Sequence, residues 1–209
     1  CLDRWRSAGV HYLSVNVGYD VVPWRKTLQT LAAFRAWIEQ HPADYLLVRT
    51  AEDVPRARQT GRMAVSFDLE GMNALDGDLH MVSAYYALGV RQMLFAYNLN
   101  NAAGGGCHDG DAGLTDFGRA VIREMNRVGM LVDCSPSARR TTLEAMELSS
   151  APVIFSHSCA QAVAPHGRNI DDAQIRACAA TGGVVGINGV GLFLGGNDRA
   201  PERFADHVL

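Results

Sequence analysis

Short β-branched apolar runs, each bounded by Gly, Pro, Asn or Asp, alternate along this chain with stretches of helical periodicity. The runs Val10 to Val17, Met63 to Leu69, Arg91 to Tyr97, Met130 to Cys134, Pro152 to Ser156 and Gly183 to Asn188 read as six strands. Between them, Lys26 to Gln40, Leu79 to Leu88, Thr115 to Val128, Arg139 to Leu148 and Asp171 to Ala180 read as crossover helices. Asp171 or Asp172 is suited to cap the last helix, while Gly129 and the pair Gly182-Gly183 are suited to end theirs. Strands that are apolar almost throughout and joined by helices predict a parallel sheet under a helical layer, because an antiparallel sandwich alternates apolar and polar positions. Two architectures satisfy that pattern, an open doubly wound sheet and a (β/α)8 barrel. A dinucleotide fingerprint would favour the first, but none follows the initial strand; Gly104, Gly105 and Gly106 open no helix and read as a flexible loop. A barrel typically takes about 250 residues, so six strands in 209 residues leave one turn short at each end.

At 48% hydrophobic and 20% charged residues the chain has material for one sizeable core, which excludes disordered and fibrous classes. Its apolar runs fall far short of the roughly 18 residues a spanning helix needs, so no membrane segment is expected. Nineteen basic residues against 22 acidic ones, with no basic block, argue against a nucleic-acid partner. Five cysteines (Cys1, Cys107, Cys134, Cys159 and Cys178) form an odd set without a C-x-x-C pair, which suits neither a disulfide framework nor a zinc ribbon. With no secretory layout at the start, the expected location is the cytoplasm.

In parallel α/β proteins reactive groups sit just past the C-terminal ends of strands. Those positions here are polar: Asp68-Leu69-Glu70-Gly71, Tyr97-Asn98, Asp133-Cys134-Ser135-Pro136, Ser156-His157-Ser158 and Asn188. Glu70 could cap a helix or ligate a metal, and His157 could be a core histidine or a ligand. Together a carboxylate oxygen and an imidazole nitrogen suit a borderline divalent metal, although two ligands are too few for a site. Arg168, in the loop after the His157 strand, is either solvated or a bidentate anchor for a substrate carboxylate. The other histidines read as structural or solvated, and Cys134 and Cys159 as small core residues. No G-x-S-x-G, H-E-x-x-H or P-loop motif occurs.

Several longer runs carry a resemblance. They are Ala87-Leu88-Gly89-Val90-Arg91-Gln92-Met93, Gly113-Leu114-Thr115-Asp116-Phe117-Gly118, the stretch from Glu124 to Asp133, Ala151-Pro152-Val153-Ile154-Phe155-Ser156-His157-Ser158, and Arg168-Asn169-Ile170. The chain resembles the membrane dipeptidase (renal dipeptidase) family of metallopeptidases over nearly its whole length. The resemblance implies a (β/α)8 barrel of the amidohydrolase type, with 1–209 as a single barrel domain. It also implies two zinc ions that activate a water to cleave a dipeptide. The family's bridging glutamate falls on Glu70, its second-metal histidine on His157, and its carboxylate-binding arginine on Arg168. Tyr97 falls where the family polarises substrate, Asn98 beside it is a candidate substrate contact, and a homodimer is the expected assembly.

Departures are equally specific. Pro136 stands where the family has a histidine ligand, and proline cannot coordinate a metal. Tyr97 stands where it has a polarising histidine, and a phenol donates a hydrogen bond without an imidazolium's charge. The His-x-Asp pair of the family's first strand has no counterpart, and the aspartate of its eighth strand falls beyond Leu209. The six runs therefore correspond to family strands two to seven, and the chain is expected to be a fragment. A metal-dependent dipeptidase is the leading expectation; a degenerate or one-metal relative that binds without cutting is the alternative, motivated by Pro136 and Tyr97.

Overall fold

The computed structural model describes residues 2–208, so Cys1 lies outside the described residues. Its elements are α1 (Leu2–Ser7), β1 (Tyr12–Tyr19), α2 (Trp24–Glu39), β2 (Tyr45–Leu47), α3 (Asp53–Gln59), β3 (Met63–Glu70), α4 (His80–Leu88), β4 (Val90–Leu94), α5 (Asp116–Val128), β5 (Leu131–Asp133), α6 (Arg139–Leu148), β6 (Val153–Ile154), α7 (Asp172–Ala180), α8 (Gly191–Leu194) and α9 (Ala200–Asp206). The strands form one six-stranded sheet in the order β1-β3-β4-β5-β6, with β2 beside β3, and every pairing is parallel.

β3 is the central element. β1 lines one of its edges from Tyr12↔Ala64 to Tyr19↔Glu70, while β2 takes Met63 to Val65 and β4 takes Phe67 to Glu70 on the other. Its alternate residues Val65, Phe67 and Leu69 are fully buried against the helical layer, together with Val17, Met93, Val132 and Val153 of neighbouring strands. The other set, Ser66 and Asp68, meets polar residues of β1: the Tyr12 hydroxyl and Ser66 Oγ are 2.7 Å apart, and Asp68 accepts from Ser14 Oγ at 2.5 Å and Asn16 Nδ2 at 3.1 Å. The expectation of strands apolar almost throughout is thus corrected. They alternate, and the polar set is hydrogen-bonded across the strands instead of wetted on an open face.

The sheet is strongly curled. Glu70 at the tip of β3 and His157 just past β6 belong to strands three positions apart, yet His157 Nε2 and Glu70 Oε1 are 4.0 Å apart. On a flat sheet such strands lie about 14 Å apart. The polar set therefore lines the concave side.

Helix boundaries follow local chemistry. Thr115 Oγ1 accepts from Gly118 N at 3.0 Å to cap α5, and Gly129 ends that helix at φ 85°. Asp171 and Gln174 form a reciprocal capping box on α7. Among the described residues no helix is long and apolar enough to cross a membrane.

Three expectations are revised and one strand is added. The run Gly183 to Asn188 forms no regular strand: it touches β6 through one parallel bridge, Phe155↔Val185, flanked by Gly186 N to Phe155 O at 2.7 Å. Gly183 and Gly186 press their backbones so closely on β6 that a Cβ at either would strike Val153 O or Ser156 O, which breaks regular pleating. β2 escapes sequence reading because three residues carry no period. β4 ends at Leu94 instead of Tyr97, because Tyr97 N turns away to donate to Asp20 Oδ2 at 2.9 Å. Gly104 to Gly106 form a buried, bonded loop instead of a flexible one: Gly105 N donates to Thr141 Oγ1 at 2.9 Å and Gly106 N to Asn100 Oδ1 at 3.0 Å.

Gly118 offers a test of that packing. A helical Gly→Ala exchange normally stabilises by about 1 kcal/mol, but a Cβ here would strike the Ala103 carbonyl oxygen. Gly118→Ala is expected to destabilise by roughly 1–3 kcal/mol instead, read as a lower urea midpoint at unchanged slope.

Candidate metal centre

The ends of β1, β3 and β4 are tied together by Asp20, which sequence reasoning missed. Its backbone N donates to Glu70 O at 3.0 Å. Its carboxylate accepts from Asn73 N at 3.0 Å, Tyr97 N at 2.9 Å and Asn101 Nδ2 at 2.9 Å. Gly71 sits beside it at φ 115°, and any Cβ there would occupy the Asp20 carboxyl. The signal available was positional: Tyr19-Asp20 follows β1 as Glu70-Gly71 follows β3.

Glu70 thereby projects over the concave side, where a cavity of about 440 Å³ is lined by Asp68, Glu70, Gln92, Asp133, Ser156 and His157 among others. Burial is the main cause that pushes the Glu70 carboxyl up from 4.5 to about 7, with Asp68 and Asp133 adding to it and Arg168 opposing. Asp133 is fully buried and is pushed up to about 6 by that burial, against hydrogen bonds from Ser156 and Ser135. Burial also raises Asp68. His157 goes the other way: burial, then the charge of Arg168, lowers it from 6.5 to about 4. The facing Glu70 and His157 are accordingly no ion pair at neutral pH. They are an acceptor oxygen and a neutral imidazole held 4.0 Å apart.

The structure also brings Arg168 and Asn98 together. Arg168 Nη1 donates to Asn98 Oδ1 at 2.7 Å, and its guanidinium carbon lies 4.9 Å from the centre of the Phe193 ring. Asn98 takes a left-handed backbone at φ 66° and has Cys107 Sγ 3.8 Å from the same oxygen. The Tyr97 ring packs against Tyr19 at 5.2 Å between centroids. A second cavity of about 350 Å³ is lined by Arg168, Cys107, Pro136, Ser158 and neighbours. Pro136 lines this Arg168 cavity, which shares no lining residue with the one that holds Glu70 and His157, and a proline ring offers no donor. Phe193 and Cys107 were not singled out from the sequence, since neither carries a motif.

Of the other histidines, His41 Nδ1 lies 2.7 Å from Trp37 O and His207 Nδ1 accepts from Ala160 N at 3.0 Å, both structural. His11 precedes β1 instead of lying inside it. Cys134, Cys159 and Cys178 are buried free thiols.

These residues fit a divalent cation by their chemistry. Tetrahedral zinc ligands about 2.0–2.2 Å from the ion stand roughly 3.4 Å from each other, so the oxygen and nitrogen, 4.0 Å apart here, would need to close by only about half an ångström to share one. Three carboxyls pushed up by burial, Glu70 and Asp133 also by neighbouring carboxyls, are the environment a cation relieves. Among the described residues, however, no cluster of three or more His, Cys, Asp or Glu converges on one point, so this chain presents two donors and not a closed cage.

A sequence model of the family described as membrane dipeptidase (Peptidase family M19) matches residues 3–209. An uncharacterized dipeptidase of Schizosaccharomyces pombe is 36% identical over 208 residues, which cover 95% of this chain and 50% of that protein. An amidohydrolase from Pseudomonas aeruginosa superimposes with a TM-score of 0.94 at 28% identity, over 99% of this chain and 63% of that one. A metallo peptidase from Rhodobacter sphaeroides, solved with a phosphinate mimic of the dipeptide L-Ala-D-Ala, gives a TM-score of 0.86 at 24% identity, over 99% and 72% of the two chains. At that identity the second likeness speaks for the fold alone. The chain spans about half the length of its yeast relative.

The charge state of Glu70 is testable in metal-depleted protein. A carboxyl at about 7 when folded and 4.5 when unfolded contributes stability below 4.5 that is lost as pH rises through 7. His157, at about 4 folded and 6.5 unfolded, contributes stability above 6.5 that is lost as pH falls through 4. Glu70→Gln removes only the first effect. It is expected to stabilise the metal-depleted protein at pH 8 by on the order of 3 kcal/mol, with no gain near pH 4.5, as read by urea unfolding at both values.

Proposed function

We propose that this chain, which belongs to the membrane dipeptidase family of metallopeptidases, contributes Glu70 and His157 as ligands of a zinc centre that hydrolyses dipeptides, with Arg168 as the substrate anchor. One observation carries the reading. A half-buried carboxyl and a neutral imidazole, delivered by strands three positions apart, face each other at 4.0 Å within reach of a guanidinium's charge.

Neutral imidazole and ionised carboxylate are the donor states that a borderline divalent metal takes. When bound, such a metal supplies Lewis acidity and a water acidified to near neutrality. The chain's own residues do the rest. Arg168 presents a planar fork to the free carboxylate of the substrate, held in place by Asn98 and by the Phe193 ring. That contact fixes the peptide bond relative to Glu70 and His157, and positioning of this kind lowers the barrier to attack. Tyr97, packed beside Tyr19, would offer the substrate a phenolic donor.

Elemental analysis of the intact protein purified without chelators, run beside an assay on simple dipeptides, is expected to find bound zinc and turnover. No zinc and no turnover would overturn the reading. Within that assay Arg168→Ala is expected to raise KM by about ten- to a hundredfold, the cost of losing hydrogen bonds to a charged group. Amidating the dipeptide's C-terminus should cost the wild type as much and the variant nothing further.

Pro136→His places a donor where the family has one. It is expected to raise both the zinc content and the turnover of the intact protein; unchanged values would show that this position does not face the metal.

A further inference from the structure

His157 is held from behind by two groups that the dipeptidase reading does not use. Ser156 Oγ lies 2.8 Å from His157 Nδ1, and the same hydroxyl donates to Asp133 Oδ2. Asp133 is fully buried at the end of β5, and its other oxygen accepts from Ser135 N and Ser156 N, both at 3.0 Å. The imidazole backbone is fixed as well, with His157 N donating to Ser135 Oγ at 3.3 Å.

The count of hydrogens decides the rest. A serine hydroxyl has one proton to donate, and a carboxylate that already receives two backbone N–H groups can only accept. The Ser156 proton is therefore committed to Asp133, so the hydroxyl oxygen can meet Nδ1 only as an acceptor, and Nδ1 must carry hydrogen. A neutral ring has one N–H, so Nε2 is left with its lone pair, and Nε2 is the atom that faces Glu70.

We infer that Asp133, acting through Ser156, fixes the tautomer of His157, placing the proton on Nδ1 and presenting the Nε2 lone pair toward Glu70. Asp133 and Ser156 are positioning residues, and the inference rests on the reading of His157 as a metal ligand only for its purpose. Hydrogen bonds from the far nitrogen of a ligating histidine set ring orientation and basicity, and removing them typically weakens metal binding by about 10- to 100-fold.

Asp133→Asn gives the sharpest test. The two backbone donors keep the amide oxygen in the place of Oδ1, so the amide NH2 faces Ser156. The serine must then accept from the amide and donate to Nδ1, which moves the ring proton to Nε2. Ser156→Ala removes the connection, and Ser156→Thr retains a hydroxyl and should restore it.

The measurement is long-range proton–nitrogen NMR of histidine-labelled, metal-depleted intact protein, with the His157 ring identified by its loss in His157→Gln. Wild type and Ser156→Thr are expected to show a protonated Nδ1, and Asp133→Asn a protonated Nε2. Zinc affinity by chelator competition is expected to fall about 10- to 100-fold in Asp133→Asn and Ser156→Ala. A protonated Nε2 in the wild type would overturn the inference, as would an Nδ1 proton that both Asp133→Asn and Ser156→Ala leave in place. If the tautomers behave as expected but zinc does not perturb the His157 ring of the wild type, the metal-ligand reading fails and the hydrogen-bond chain stands.

Discussion

The curl of the parallel sheet is the constraint from which the site follows. Strand spacing within a sheet is fixed by backbone hydrogen bonding at about 4.8 Å, so residues on β3 and past β6 meet only if the sheet bends around them. The bend is anchored at β3, bonded by β1 along one edge and by β2 and then β4 along the other. Asp20 carries the constraint beyond the last ladder bond. It holds Asn73, Tyr97 and Asn101, so the loops at the strand ends keep the spacing that the strands impose.

Electrostatics then give the concave side its character. Asp68, Glu70 and Asp133 share a buried space, and Arg168 is the opposing charge that acts on both Glu70 and His157. Asp68 is shielded by Ser14 and Asn16, and Asp133 by Ser135 and Ser156, each through hydrogen bonds. Glu70 is the carboxyl among the three whose oxygen faces an imidazole nitrogen in place of hydroxyl and amide donors. The difference in partners, more than the difference in burial, separates the proposed ligand from the two carboxylates held by hydrogen bonds.

Much of this was legible in the sequence. Parallel topology followed from apolar runs between helical periods, and Glu70, His157, Asn98 and Arg168 followed from the rule that chemistry sits past strand ends. What was not legible has identifiable causes. Polar positions 14, 16 and 66 were absorbed into apolar runs because β-branched neighbours dominate the local signal. The Gly104 to Gly106 loop read as loose because composition does not reveal that Thr141, distant in sequence, supplies its partner. Asp20 and Phe193 act through contacts with residues 77 and 25 positions away respectively, Tyr97 and Arg168, and no local period encodes such pairs.

The two sides of β3 carry separate tasks. Val65, Phe67 and Leu69 bind the sheet to its helices, while Ser66, Asp68 and Glu70 alternate with them toward the concave side. A change at 65, 67 or 69 is felt in the packing against the helices, and one at 70 in the donors that the concave side presents. The period of the pleat thus places the strand's last carboxyl over the concave side while the packed positions that alternate with it face the helices.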